Sequence, residues 1–434
     1  MIAFARPVRR LRLIVWASPV AILLLSYFAV SASAQPGPAA PAAPPSPAEP
    51  PSLTLLECLR IANERQPALA AARASLAAHE AGYRGVMGLR APGLIAPDLP
   101  VRKQQASRGL AAARAELCQT EYDTAYAVIR TYYSAVYARQ QVEVTNDVVG
   151  NLRFWQERIR DIVKAGTDRR LNQDHVAKVT IYLKLAESKQ AEAAVGVDRA
   201  MNALREAMGV DKDFAPFRPA DTQMPEPKVE PNKDQVVQLA LDRRGELVQA
   251  MVAADVIRLE VDAQGKLRFR SKGRTFAAGS DIHAKPVPTG LHNGDYRPGA
   301  LGIEMPGLVA GNREARQETV QGYWARAEAV VEKTRGLIRL EAEDAFENWV
   351  EATRKVNQNR EAAQEGRDLA KRTRANRDAA EIKPEDILQN DVIAGQAMGQ
   401  YNQALFEQIL ALANLERITA GGFCAGLVPP PAVP

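Results

Sequence analysis

The sequence is poor in the residues that build compact catalytic or disulfide-stapled proteins. Its only cysteines, Cys58, Cys118 and Cys424, are too few and too far apart for a disulfide framework or a Cys-x-x-Cys metal site. They read as incidental thiols, with a Cys58–Cys118 bridge as the lesser reading in an oxidising compartment. No glycine loop of the phosphate-cradling kind, no His-Glu-x-x-His and no Gly-x-Ser-x-Gly occurs, which leaves an enzyme without a recognisable engine. Of four histidines, His79 and His175 stand singly in helical segments and read as solvated or seam residues. His283 and His292 lie with Asp281 and Asp295 in one Gly/Pro-rich stretch. Their side chains are of ligand type, but such loop residues more often serve turns and surface hydrogen bonds, so no metal site is assigned.

A clustered basic face is also missing. Arg6, Arg9, Arg10 and Arg12 precede an uncharged run from Leu13 to Val30 and then Ala32-Ser33-Ala34, the order of an export signal cleaved after Ala34. The alternative is a membrane anchor, which Pro19 and the Ala-x-Ala site argue against. Removing residues 1–34 takes four arginines and no acids, so the formal charge of +5 falls to about +1 and nothing points to nucleic acid. Residues 35–52, nearly all Pro and Ala, form an extended linker.

From Leu53 onward the chain repeats itself. Leu59-Arg60-Ile61-Ala62-Asn63-Glu64-Arg65-Gln66-Pro67-Ala68-Leu69 parallels Val237-Gln238-Leu239-Ala240-Leu241-Asp242-Arg243-Arg244-Gly245-Glu246-Leu247, and each leads into an Ala-rich helix. The halves also end alike, at Ala203–Gly209 and Asn414–Gly421. The organisation is a repeat over 53–210, a Pro-rich joint at 211–232, a second repeat over 233–422 and a tail at 423–434.

Proline is absent from Ala106 to Ala165, so one helix of some 60 residues, ~90 Å long, is expected there. A counterpart from Arg313 to Ala380 would reach ~100 Å. Val148, Leu152, Trp155, Ile159 and Ile162 step by four and three, the 3.5-residue period of a coiled-coil seam. Each long helix reverses at a short break. At the first, Gly166 suits a left-handed cap and Thr167 or Asp168 can open the next helix. At the second, Ile382-Lys383-Pro384 ends one helix and Pro384, with Glu385 and Asp386, starts another.

Between the short and long helices of the second half, residues 261–311 are rich in Gly and Pro. Leu267–Phe276 and Ala300–Met305 read there as a β-hairpin with a long connection.

A secreted precursor with a short opening helix broken at Pro or Gly, long coiled hairpins, a hairpin insertion and a closing Leu-rich helix ending in Gly, all twice over, resembles the TolC-like outer-membrane efflux proteins. The resemblance covers Leu53 to Gly422. It implies a mainly α fold of long antiparallel coiled-coil hairpins in two tandem repeats, with a small β-hairpin insertion contributing to a trimeric β-barrel. It further implies a homotrimer in outer-membrane lipid that joins a periplasmic adaptor (membrane fusion protein) and an inner-membrane pump. Such a duct serves tripartite efflux or type I secretion, conducts substrates passively and carries no cofactor. Gly166, Thr167, Asp168, Ile382, Lys383 and Pro384 fall at the adaptor-docking tips, and Asp386 at an acidic pore constriction where Gln389 replaces a second acid. The first-half insertion, about Gly82 to Val101, is too short for two membrane strands of ~9–11 residues. The membrane end is therefore either unusual or that of a non-conducting coiled-coil scaffold without a complete barrel.

Overall fold

The computed structural model describes residues 50–93, 95–167, 171–276, 303–375 and 384–422. The export signal, most of the linker, Asp168, Ile382, Lys383, the Asp281/His283/His292/Asp295 loop and Cys424 lie outside them.

The first half runs through β1 (Ser52–Leu53), α1 (Leu55–Arg65), α2 (Pro67–Gly88), α3 (Leu99–Ala165) and α4 (Gln173–Ala207). After β2 (Arg218–Pro219) the second half runs through α5 (Lys233–Arg243), α6 (Gly245–Lys266), β3 (Lys272–Arg274), β4 (Leu308–Ala310), α7 (Arg313–Ala375) and α8 (Pro384–Ile418). The helical lengths recur: 11 and 22 residues for α1 and α2, the same for α5 and α6, and 35 residues for both α4 and α8.

Thr54 starts α1 with a reciprocal cap: its hydroxyl accepts from the Glu57 amide at 3.3 Å, and the Glu57 carboxylate accepts from the Thr54 amide at 2.7 Å. Pro67 forces the residue before it out of the helical region, so Gln66 is extended (φ −66°, ψ 121°) and α2 begins afresh with Pro67 in its first turn. Arg244, at the matching place, adopts nearly the same backbone (φ −70°, ψ 127°) before Gly245. α3 starts at Leu99, earlier than the proline-free stretch suggests, because Pro100 sits in the first turn where its missing N–H costs nothing. At 67 residues α3 is about 100 Å long.

α3 is the backbone of the layer. It is flanked by α2 and α4, which follow one another along it, and by α6 and α8; α7 packs in turn on α6 and α8 and carries α5. The central core joins Cys58, Val128, Ile129, Tyr132, Leu204, Met208 and Ile409 with Phe217 and Met224. Cys58 and Cys118 are both unpaired, so the lesser reading of a bridge between them is not met. Burial pushes the Cys58 thiol up to about 12.

The joint at 211–232 is strapped onto the helices. β1 and β2 form a two-residue parallel ladder, with Ser52 opposite Arg218, so the last linker residue already belongs to the fold. Tyr132 Oη donates to Asp221 Oδ2 at 3.0 Å, Arg139 donates to the Pro219 carbonyl at 3.0 Å, and Glu226 accepts from both Tyr401 (2.6 Å) and Arg360 (2.7 Å).

The β expectation needs correction. β3 and β4 are antiparallel but have three residues each, with Lys272 opposite Ala310. The second strand falls after Ala300–Met305, because Ile303 and Met305 pack instead against the cluster of Ile257, Val309 and Val320. Between α2 and α3 no strand occurs among the described residues, nor does any closed sheet. No described helix is long and apolar enough to cross a membrane, which does not bear on a β-barrel.

Candidate functional site

Of the site residues singled out from the sequence, Gly166, Thr167, Pro384 and Asp386 are described, and they stand at the end of α3 and the start of α8. Gly166 ends α3 in the left-handed conformation (φ 63°, ψ 20°), its amide donating to the Val163 carbonyl at 3.3 Å. A Cβ there would meet nothing within 4 Å, so the turn stands open. Thr167 comes next but does not cap α4. Asn172 does: its Oδ1 accepts from the amides of Asp174 at 3.0 Å and His175 at 3.3 Å, and its own amide donates to His175 Nδ1 at 3.3 Å. His175 is therefore a capping partner rather than a seam residue. Leu171, buried just before the cap, fixes where the chain enters α4.

Pro384 is the first residue of α8, as its missing N–H favours. Asp386 is exposed in the first turn, close to the positive end of the helix dipole. Gln389, three residues on, is also exposed, while Ile387 and Leu388 between them are buried. Leu388 packs with Val149, Leu152, Ile159, Val179 and Leu183, which ties the start of α8 to the α3–α4 hairpin.

Sequence reasoning missed the polar lock behind this turn. Arg374, in the last turn of α7, donates to Asp391 Oδ1 through Nε at 2.9 Å, and its Nη2 lies 2.8 Å from the same oxygen in an ion pair. One residue away on each helix, Asn390 Nδ2 donates to Thr373 Oγ1 at 3.1 Å. Asp391 is only 4% exposed and its Oδ2 has no partner among the described residues. Burial raises its carboxyl above the usual range despite Arg374. A charged residue four places after buried Ile387, in the seam itself, was the available signal.

The opposite end is held by a second polar system. Glu260, fully buried, receives a forked contact from Arg102, with Nη2 to Oε1 at 3.0 Å. It also accepts from Gln105 at 3.0 Å, Gln264 at 2.8 Å and the Phe276 amide at 3.1 Å. Arg316, fully buried in the first turn of α7, donates to Gln264 Oε1 at 3.0 Å, to the Gly311 carbonyl at 2.8 Å and the Leu267 carbonyl at 2.6 Å, and to the Arg270 carbonyl. Its charge thus meets carbonyls left over at the C-terminal end of α6, where a cation is favoured. Arg102 adds a bond to the Arg274 carbonyl at 2.9 Å. The β3–β4 hairpin is rooted in these two arginines.

Among the described residues no group of His, Cys, Asp and Glu is arranged to hold a metal. Among the described residues this end presents the open turn at Gly166 and the exposed Asp386 in the first turn of α8.

No family model and no curated protein matches the sequence. Solved structures do match the fold. A membrane protein from Pseudomonas aeruginosa superposes with a TM-score of 0.64 at 15% identity, covering 84% of this chain and 93% of its own. The outer-membrane channel OprN gives 0.65 at 15% identity, with 85% and 90% covered. The open state of the Neisseria gonorrhoeae MtrE outer membrane channel gives 0.64 at 15% identity, with 85% and 89% covered. The chain has the mainly helical fold of the TolC-like outer-membrane channels.

Proposed function

We propose that the protein is the outer-membrane exit duct of a tripartite efflux or type I secretion system, conducting substrates passively and catalysing nothing. The observation that carries this reading is a fold shared with outer-membrane channels along nearly the whole of both chains. The edges of the helical layer support it. α4 packs extensively only on α3 and leaves Ile181, Tyr182, Leu185 and Val195 exposed, while α7 forms the opposite edge. Two unlike edges on one layer close into a ring when copies repeat by rotation. The resemblance supplies three as the number of copies, and the recurring helical lengths support two tandem repeats per chain.

In this reading the chain is exported and sits in the outer membrane with its helices in the periplasm. Gly166, Thr167 and Asp168, with Ile382, Lys383 and Pro384, meet an adaptor that links the duct to an inner-membrane pump, and Asp386 faces the lumen once per copy. Light scattering in mild detergent and planar-bilayer recording of the purified protein test assembly and conduction; a monomer, or a trimer without channels, sinks the duct. Asp386→Asn should reduce cation preference and weaken block by multivalent cations, most at low ionic strength where the field is least screened. Identical reversal potentials and block in both proteins would place Asp386 off the lumen.

The short first-half insertion favours one alternative, a coiled-coil scaffold without a complete barrel, since residues 89–98 hold no described strand. That protein would assemble and fractionate with the outer membrane yet give no channels.

A further inference from the structure

The two insertions meet at one end of the layer, and their described residues are mostly basic, with Asp262 and Glu304 the exposed acids among them. On the second-half side Lys266, Arg268, Arg270, Lys272 and Arg274 are all exposed, and no acid occurs from Ala263 to Phe276. Among them Phe269 is completely exposed, and Leu308 on the paired strand is exposed as well. On the first-half side Arg84 and Arg90 are exposed beside Met87, Leu89 and Ile95, the last 68% exposed. The two sides are fastened together: Lys103 donates to the Met87 carbonyl at 2.9 Å, and its neighbour Arg102 holds both Glu260 and the Arg274 carbonyl. Arg316 grips the carbonyls of Leu267 and Arg270 from beneath. The backbone bearing the basic side chains is therefore held, while the side chains themselves point to solvent.

Single exposed apolar residues are ordinary. A fully exposed phenylalanine set among three arginines and two lysines, with aliphatic side chains on the adjoining loop, is a different arrangement. We propose that this end is an interfacial docking surface for an anionic phospholipid leaflet, the basic side chains meeting headgroup phosphates while Phe269, Leu89 and Ile95 enter the acyl boundary. Arginine and lysine stems suit that depth because their apolar length lies along the boundary with the charge outside. Apolar burial and attraction to anionic lipid then add, as they do for surface-lying membrane segments. An acidic protein face would match the charge but would leave the protruding Phe269 without reason. The proposal rests on the reading that this end faces the outer membrane, but it requires neither a complete barrel nor conduction.

The test is flotation of the purified full chain with vesicles of phosphatidylcholine alone or mixed with phosphatidylglycerol, at low and high salt. Binding should need phosphatidylglycerol and weaken with salt. Each basic residue near such a surface strengthens attachment roughly fivefold, so Arg268→Gln/Arg270→Gln/Lys272→Gln should lose on the order of a hundredfold. Phe269→Ala should lose severalfold at either salt. Equal binding to both vesicles, or an unchanged triple variant, overturns the proposal. So does loss of binding in inorganic phosphate at matched ionic strength, which would mark a free-anion site. If the triple variant misfolds, the lipid and salt comparisons on the unaltered chain decide alone. Channels lost with lipid preference intact would sink the duct and leave this surface standing.

Discussion

The same break occurs in both halves, and it is held by opposite chemistry. In the first half Gln66 donates its amide to the carbonyls of Glu206 at 3.1 Å and Ala207 at 3.0 Å, so a neutral side chain finishes the end of α4. In the second half Arg244, 2% exposed, is clasped by Glu246 at 3.0 Å and by Glu341, which in turn accepts from Arg417 at 2.6 Å. Arg417 also lies 3.5 Å from Asp123 and over the ring of Tyr126. Burial acts to lower the Arg244 pKa, but Glu246 and Glu341 outweigh it and hold the guanidinium above its ordinary value. The backbone at the break is common to both halves and the side chain there is free to differ. Neutral bonds make a forgiving joint, whereas buried charges make a specific one that fails badly when a member is missing.

The sharpest way to break the contrast is Glu341→Ala, which leaves Arg244 and Arg417 buried without their shared carboxylate. A loss of about 3–5 kcal/mol is expected in urea unfolding. Replacing Arg244 and Glu341 together by Met and Leu should recover much of it, and no recovery would mean the network is not what holds the joint.

Next in size is Gly209→Ala. Gly209 has φ 66°, and a Cβ would come within 2.7 Å of the Arg65 carbonyl oxygen. Left-handed strain and a backbone clash together should cost roughly 2–3 kcal/mol. Gly166→Ala carries similar strain in open space and should cost only about 1 kcal/mol. Equal losses would show that close approach at the first-half joint is unimportant.

Gln66→Ala should cost about 1 kcal/mol, since solvent can reach part of what it leaves. A loss matching that of Glu341→Ala would erase the distinction between the joints.

The smallest effect is one of pH. Because burial raises the Asp391 carboxyl in the folded chain, its contribution to stability grows as pH falls through that raised value and is complete below the ordinary carboxylate range. Amide protection at the start of α8, taken relative to the intrinsic exchange rate at each pH, should therefore rise modestly in mild acid, and Asp391→Asn should flatten the dependence. Protection that falls in acid would mean that the Arg374 pair outweighs burial.

Much of the fold is legible in the sequence because it is written locally. Pro67 announces the first break, Gly166 the first turn and the seam from Val148 to Ile162 the hairpin. Asn172 is easily passed over because Thr167 lies nearer the turn; only the reciprocal bond with His175 shows where α4 starts. Glu341, Arg244 and Arg417 cannot be read together, since nothing local couples residues that distant in sequence. The strands are half visible: the alternation around Lys272 marks one, while Ile303 and Met305 look like a strand but serve as packing. At the start of α8, Asp386 stands out only through the resemblance, and Asp391, buried behind it and paired with Arg374, does not.

Each joint lies against a helix that does not stop: α1 and the start of α2 against α3, and the Arg244 break against α3 and α7. Carpenters lay laminated timber the same way, so that no butt end in one ply coincides with a butt end in the next. A bending force at the hairpin turns cannot open either joint without flexing a rod some 60 residues long, so a push at one end travels as a tilt of the whole stave instead of a fold at its middle.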